Sequence, residues 1–359
     1  MAGPPDPSPD PAPDPSLRPP RPRRSRGTGR VRIEDVARLA GVSAQTVSRV
    51  LRDPERVSEP VRASVRAAVA QAGYVPNLVA GSLASNRSRI VAIIVPTLAN
   101  AVHAGSVEGL SDALHAARHE VLVGTTGYDR DRERAVVRAF LGRRVDGLAI
   151  AGGVLDPEAA VLLRAAAIPT VQLWELPEAP VDMAVGVRNR EIGMAVARHL
   201  AGRGRRRLAV VGHAAASDTR AADRVAGFVA EAQRLGLPEP LRLQTARPSA
   251  LKEAAALLEP LLRGAAPAEA VFCAGDQIAI GLLLGARRAG VAVPERLAIV
   301  GVGDSDLAAL VSPALTTVRI PRYEMGFEAG RMLLRRLQGE TVEPRRVDLG
   351  FELMVRESG

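Results

Sequence analysis

The sequence predicts an α/β protein in which a small helical N-terminal unit precedes a two-lobed, parallel-sheet unit. Three observations carry that expectation. Residues 32–51 place apolar side chains at helical spacing on either side of a glycine; from Arg89 onward short apolar runs alternate with amphipathic stretches; and that rhythm restarts at Leu208. Continuous apolar strands separated by helices imply a parallel sheet covered on both faces, and a restart of the pattern implies two such lobes.

In the helical unit, Ile33, Val36, Ala37 and Ala40 share one face of a short helix. Gly41 supplies a tight turn, and Ser43 can cap a second helix that carries Val47, Val50 and Leu51 inward. The arrangement is a helix-turn-helix. Ala44, Gln45, Ser48 and Arg49 lie at or near its exposed side, where a helix entering the major groove meets base edges and phosphates, and Thr46 belongs to the same candidate DNA-binding set. Spacing alone equally describes an αα-hairpin in any helical domain. After a loop at 52–57, Ser58 is a suitable N-cap and Pro60 fits the first turn of a third helix running to about Ala72 and stopping at Gly73. Its inner stripe is Val61, Val65, Ala68 and Val69, so three helices can close a small core.

The predicted organisation is a Pro- and Arg-rich disordered tail at 1–30, the helix-turn-helix unit at 31–75, a linker at 76–88 and the two-lobed unit at 89–359. Charge follows that division. The first 90 residues hold fifteen arginines and no lysine against eight acidic residues, a local surplus of +7 that leaves only +2 for the rest. Positive charge therefore sits at the helix-turn-helix end, where phosphate contact needs it; a solvated basic tail is the alternative. Aromatics are only 3% of the chain, so the interior must be filled by Ala, Val, Leu and Ile. No run approaches the ~18 apolar residues of a membrane helix, and the N-terminus lacks the apolar segment of a secretory signal; a cytoplasmic protein with no membrane partner is expected. Cys273, the one cysteine, lies in an apolar run and reads as a small buried hydrophobe.

Predicted strands of the first lobe lie at 90–95, 121–124, 147–151 and 170–173, with helices at 107–118, 132–141 and 157–166. The second lobe has strands at 208–211, 241–243, 270–274 and 297–300, with helices at 219–235, 249–263, 277–289 and 323–337.

The segments Asp35-Val36-Ala37, Ala40-Gly41-Val42-Ser43 and Thr46-Val47-Ser48-Arg49-Val50-Leu51 resemble the headpiece of the lactose-repressor (LacI/GalR) family of bacterial transcription regulators. Residues 271–281, 290–294, 299–301 and 313–318 look like further landmarks of that family, so the likeness extends from Arg32 to the end. Residues 182–186, 270–273, 339–344 and 348–351 are similar to the gluconate-utilisation repressors within it. The resemblance implies a periplasmic-binding-protein type I effector domain, a homodimer, and a hinge at 76–88 that folds on DNA and presses Leu83 into a minor-groove step; Asn77 joins the candidate DNA contacts. Gly81 within the hinge weakens a helix by roughly 0.5–1 kcal/mol, which favours a hinge unfolded off DNA.

Ligands of such lobes bind beyond the carboxyl ends of the strands. Loops there carry Arg188, Arg220, Arg224, Arg319 and Arg322. Arg224, in Asp223-Arg224-Val225-Ala226-Gly227-Phe228, matches the family's pocket arginine, and a guanidinium fork can hold a carboxylate or vicinal oxygens by two parallel bonds. Asp276 matches a cleft residue that accepts bonds from ligand hydroxyls, and Trp174 offers an apolar wall. The expected effector site is Arg224, Asp276, Trp174, Arg220, Arg322 and Arg188. Gly275 stands where many relatives carry Asn, and Gly303 where many carry Asp. Fewer polar partners for neutral hydroxyls, with several arginines kept, points to an anionic effector, a sugar acid such as gluconate.

Two rival readings remain. A parallel α/β sheet can carry an enzyme, but Gly301-Val302-Gly303 lacks the third glycine of a dinucleotide loop, and no nucleophile elbow, phosphate loop or His-Glu-x-x-His motif appears. A sugar-binding transport component would share the lobes but requires export. The expectation is a dimeric regulator without enzymatic activity, cofactor or metal. Its partners are double-stranded operator DNA, a sugar or sugar-acid effector and a second copy of the chain, with no tetramerising tail.

Overall fold

The computed structural model describes residues 31–75, 87–99, 101–152, 156–214, 218–247, 250–263 and 266–359. The expectations for the tail at 1–30 and for Asn77 and Leu83 in the hinge lie outside the described residues. The chain divides into two compact units, residues 1–78 and 79–359.

The first unit contains helices α1 (Ile33–Ala40), α2 (Ala44–Arg52) and α3 (Glu59–Ala72). The Asp35 carboxylate accepts the Arg32 backbone N–H at 3.0 Å, which fixes the start of α1, and Gly41 ends it at φ +67°. Ser43 Oγ accepts the Thr46 backbone N–H at 3.1 Å and so caps α2. Val36, Ala37, Val47, Val50, Val65 and Ala68 form a closed core, with Ile33, Ala40, Val61 and Val69 packed around it. Two expectations need correction. Leu51 is an exposed residue, because one step beyond Val50 on a helix turns a side chain by about 100° away from the core; Ser58 occupies the N-cap position of α3 without a side-chain cap bond. With so small a core, the Ser43 cap matters: Ser43→Ala is expected to cost about 1 kcal/mol, read as faster amide exchange across α1–α3 while the second unit is unchanged.

The second unit holds two six-stranded sheets among its described residues. In chain order its elements begin with β1 (Ile90–Val95), α4 (Ala104–His115), β2 (Glu120–Thr125), α5 (Arg130–Gly142), β3 (Gly147–Ala151), α6 (Pro157–Ala166), β4 (Thr170–Trp174) and β5 (Met183–Gly186). Next come α7 (Asn189–Gly202), β6 (Leu208–His213), α8 (Thr219–Arg234), β7 (Leu241–Thr245), α9 (Leu251–Ala256), α10 (Leu258–Leu262), β8 (Ala270–Cys273) and α11 (Asp276–Arg288). The chain closes with β9 (Ala298–Val302), β10 (Thr316–Arg319), α12 (Arg322–Leu337), β11 (Arg346–Asp348) and β12 (Glu352–Met354).

One sheet has the order β11-β5-β4-β3-β1-β2 and is wholly parallel. The other runs β12-β10-β9-β8-β6-β7, parallel except for the antiparallel edge strand β12. The chain changes sheet after β5, after β10 and after β11, so each lobe is built from separate stretches of sequence. The central strands β3, β8 and β9 are buried throughout, as continuous apolar runs in a two-faced sheet require. Cys273 is fully buried in β8, where burial raises its thiol far above the usual range.

The pairs α4–α12 and α7–α8 pack closely through glycines on both partners. On α4 and α12, a Cβ at Gly109 would strike the Tyr323 carbonyl and one at Gly326 the Ser106 carbonyl; on α7 and α8, Gly193 meets the Arg224 carbonyl and Gly227 that of Arg190. The sequence reading missed α7 altogether. It also drew one helix over 249–263, where the structure has α9 and α10: Pro260 has no N–H to return to Ala256, so the ladder breaks near Leu257.

Candidate effector cavity and nucleic-acid interface

A cavity of about 260 Å³ opens at the carboxyl ends of the strands, between loops of both sheets. Trp174 ends β4, His213 ends β6, Asp276 opens α11 just beyond β8, and Gly303 follows β9. Of the six expected effector residues, Arg224, Asp276, Trp174, Arg220 and Arg322 line this one space.

Arg224 reaches it from the second turn of α8, whose close approach to α7 depends on Gly193 and Gly227. The guanidinium is buried; Nε donates to Asn189 Oδ1 at 2.8 Å and Nη1 to the Ala274 carbonyl at 2.9 Å. Burial, together with the neighbouring Arg220, pulls its pKa down to about 10, against the pull of Asp218, so it stays charged at neutral pH. One turn earlier Arg220, also buried, donates from Nε to Asp218 Oδ1 at 3.0 Å and lies 5.7 Å from the centre of the Trp174 ring. Burial opposes a charge on Arg220, but Asp218, Tyr128 and Glu175 outweigh it. Asp218 is desolvated too, yet Arg220, His213 and Arg224 hold its carboxyl far below the usual range. His213 Nε2 lies 3.1 Å from Asp218 Oδ2, completing the cluster.

Trp174 has φ +75°, a left-handed conformation uncommon for a bulky residue. The turn seats Glu175 against Gly186, where a Cβ would lie 2.6 Å from the Glu175 carbonyl oxygen. Trp174 Oxygen and side chain are both used: its carbonyl accepts Asn189 Nδ2 at 2.9 Å, and its buried ring walls the cavity. Asp276 is less open to ligand than the resemblance implies. Oδ2 accepts the Ser305 N–H at 2.7 Å, Oδ1 accepts the Thr317 hydroxyl, and a side chain at Gly301 would press on Oδ1. Burial raises this carboxyl, the Ser305 and Thr317 bonds lower it, and each oxygen keeps one lone pair for a ligand.

Arg322 lines the cavity and donates to the Asp304 carbonyl at 3.3 Å. Arg188 does not line it. It stands exposed after β5 and donates to Asp348 Oδ2 at 2.7 Å, because the crossovers after β5 and β11 run side by side and pair their charges. Arg319 likewise lies outside the cavity, at the end of β10, bound to Asp304 and Glu352.

The sequence reading missed His103, Tyr128, His213, Asp218 and Asn189. The available signal was position: each follows or ends a strand, or opens the helix after one. His103 is buried among Trp174, Arg220 and Arg224. Burial first, then the two arginines, lower its pKa from 6.5 to about 3, with Asp218 opposing. Between those values the unfolded chain binds a proton that the folded one refuses, so folding stability falls as pH drops from 6.5 towards 3. The slope approaches about 1.4 kcal/mol per pH unit. His103→Phe is expected to remove that slope, so that melting curves of variant and wild type diverge progressively below pH 6.5.

On α2, Gln45 and Arg49 are exposed, Ala44, Thr46 and Ser48 are half-buried, and Val47 and Val50 point inward. Thr46 is partly committed to the cap, its hydroxyl 2.9 Å from that of Ser43. Residues along one outer face are thus presented on a rigid three-helix support.

A helix-turn-helix unit followed by a two-lobed ligand-binding unit defines a ligand-responsive DNA-binding regulator. Residues 32–77 match the bacterial regulatory proteins of the lacI family, and residues 197–359 match the periplasmic binding protein-like domain. The chain is 38% identical to the HTH-type transcriptional regulator GntR of Pseudomonas aeruginosa over 335 residues, 93% of this chain and 97% of that one. A LacI-family transcriptional regulator from Silicibacter pomeroyi superposes with a TM-score of 0.86 at 32% identity, covering 91% of this chain and 99% of the other. The lac repressor dimer bound to operator and the anti-inducer ONPF gives 0.77 at 26% identity, with 92% and 99% covered. The chain belongs to the LacI family of bacterial transcription regulators.

Proposed function

We propose that this regulator binds its operator as a homodimer in the cytoplasm, without enzymatic activity, and that an anionic, polyhydroxylated effector such as gluconate controls its grip. The observation that carries the effector reading is the pair of buried guanidinium groups, Arg220 and Arg224, that line the cavity. Asp218 balances one of them. Arg224 spends Nε and Nη1 on neutral partners, Asn189 and the Ala274 carbonyl, with no carboxylate hydrogen-bonded to it among the described residues, so its charge is the one offered to the ligand. A carboxylate supplies the matching charge and geometry.

The headpiece at 31–75 reads DNA through α2, the hinge at 76–88 couples the units, and the lobes at 89–359 hold effector and dimer contacts. Gln45 and Arg49, both exposed on α2, carry base and phosphate contacts; Ala44 offers apolar contact with a thymine methyl, Thr46 and Ser48 stand beside them, and Asn77 and Leu83 act from the hinge. Effector binding shifts the lobes and biases the hinge, a coupling of typically about 1–3 kcal/mol. Arg49→Met is expected to weaken operator binding by roughly tenfold, about 1.4 kcal/mol, and to flatten its salt dependence, measured by fluorescence anisotropy.

Selection of bound genomic fragments, followed by titration of the complex with gluconate and with glucose, tests the reading. Gluconate is expected to change operator affinity at concentrations where glucose does not. A response to glucose alone overturns the anionic effector, and selective operator binding by a chain lacking residues 1–88 overturns the division between reader and sensor.

A further inference from the structure

Two aromatic residues in the cavity carry buried polar atoms without a hydrogen-bond partner: both ring nitrogens of His103, and Nε1 of Trp174. Each residue is 1% exposed, and both border the space that holds Arg220 and Arg224. Their rings meet edge to face, centroids 5.4 Å apart at 75°, so they form one continuous piece of wall. Buried polar groups in folded proteins are nearly always hydrogen-bonded, and three orphaned nitrogens around one cavity point to a molecule that supplies the missing partners.

We propose that His103 and Trp174 form an uncharged wall that reads a hydroxyl group of the effector, making the cavity selective for hydroxylated acids over plain carboxylates. The proposal rests on the anionic-effector reading and adds the second half of the ligand's chemistry. An indole N–H only donates, whereas a neutral imidazole donates from one nitrogen and accepts at the other. Protonation would remove that acceptor, and the surroundings disfavour it: the ring is buried, and Arg220 and Arg224 lie near it, with Asp218 the opposing charge. A carboxylate can only accept, so it leaves the accepting nitrogen of His103 unpaired. A hydroxyl can donate to the accepting nitrogen of His103 and accept from the Trp174 N–H, leaving the imidazole N–H for a second oxygen of the same ligand. The arginines then take the acid end while His103 and Trp174 take an adjoining hydroxyl. Sites built to hydrogen-bond a hydroxyl discriminate strongly against analogues without one, because the site's own groups are then left unpaired.

The test uses the full chain as wild type, His103→Phe and His103→Gln. Isothermal titration is run with gluconate, with glucose, and with hexanoate, which keeps the carboxylate and chain length but has no hydroxyls; melting is followed without ligand. Wild type is expected to prefer gluconate to hexanoate by at least about tenfold. His103→Phe keeps the ring contact but should reduce that preference by about tenfold and melt higher than wild type, since orphaned nitrogens are gone. His103→Gln, which donates and accepts without charge, should recover part of the preference. An undiminished preference for gluconate in His103→Phe overturns the proposal. If wild type takes glucose and neither acid, the anionic reading fails while the same comparison, made with glucose, still decides the role of His103. If it takes none of the three, the anionic reading again fails and melting decides: a higher transition in His103→Phe supports the orphaned wall, an equal or lower one overturns it.

Discussion

Replacing Arg224 by Met is expected to abolish the effector response while leaving effector-free operator binding near wild type. The guanidinium is the buried cation most firmly aimed at the cavity, with Nε and Nη1 fixed by Asn189 and the Ala274 carbonyl so that the rest of the fork faces inward. Each hydrogen bond to a charged group contributes about 1.5–3 kcal/mol, so losing a two-pronged grip on a carboxylate lowers affinity by roughly 10² to 10⁴. Methionine retains the apolar stem but leaves Asn189 Oδ1 and the Ala274 carbonyl unpaired, which costs about 1–3 kcal/mol of fold stability for each buried group. Calorimetric titration with gluconate and anisotropy with operator DNA separate the two effects: effector binding disappears, operator binding persists, and gluconate no longer alters it. A variant that still responds to gluconate at wild-type concentrations shows that the ligand sits elsewhere. Lysine is expected to rescue poorly, because a point charge cannot bond Asn189, Ala274 and a carboxylate in one plane.

The headpiece was legible in the sequence because its determinants are local. Helical spacing, a turn glycine and the Ser43 cap lie within twenty residues, and the structure adds to them chiefly the exposure of Leu51. The two-lobed sheet was legible from its central strands, which are apolar along their whole length. The edge strands β11 and β12 were not: they are three residues long, partly exposed, and take part in pairing only after the chain has crossed between lobes. Helix α7 was overlooked although Ile192, Val196 and Leu200 recur at helical spacing along its buried face; only its opening, Arg188-Asn189-Arg190, is polar. The cavity divides in the same way. Arg224 and Asp276 were visible as motif residues, whereas His103 became a candidate only once a distant strand had brought Trp174 against its ring. Arg188 failed for the converse reason, since its partner Asp348 lies 160 residues away and spacing gives no hint of it.

Gly193→Ala is expected to be among the most damaging single-methyl changes in the lobes. A Cβ there falls on the Arg224 carbonyl and within 2.6 Å of the Phe228 backbone nitrogen, and backbone cannot step aside as a flexible side chain could. Helices α7 and α8 would have to separate, yet α8 is held from the other side by Phe228, which stacks on Phe272 of β8 at 5.1 Å. Overpacking of this kind costs about 1–3 kcal/mol and here belongs at the upper end. For a unit spanning residues 79–359, with about 2.1 cal/mol/K of unfolding entropy per residue, that is a fall of roughly 5 °C in melting temperature. Because the clash is with the residue that carries the candidate anion anchor, the same substitution should weaken effector binding in the molecules that remain folded. Gly142→Ala is the control. It ends α5, and a Cβ there meets nothing within 4 Å, so its effect should stay within about 0.5 kcal/mol. If both variants melt alike, the close approach of α7 and α8 is not set by glycine, and the placement of Arg224 must depend on Asn189 and Ala274 alone.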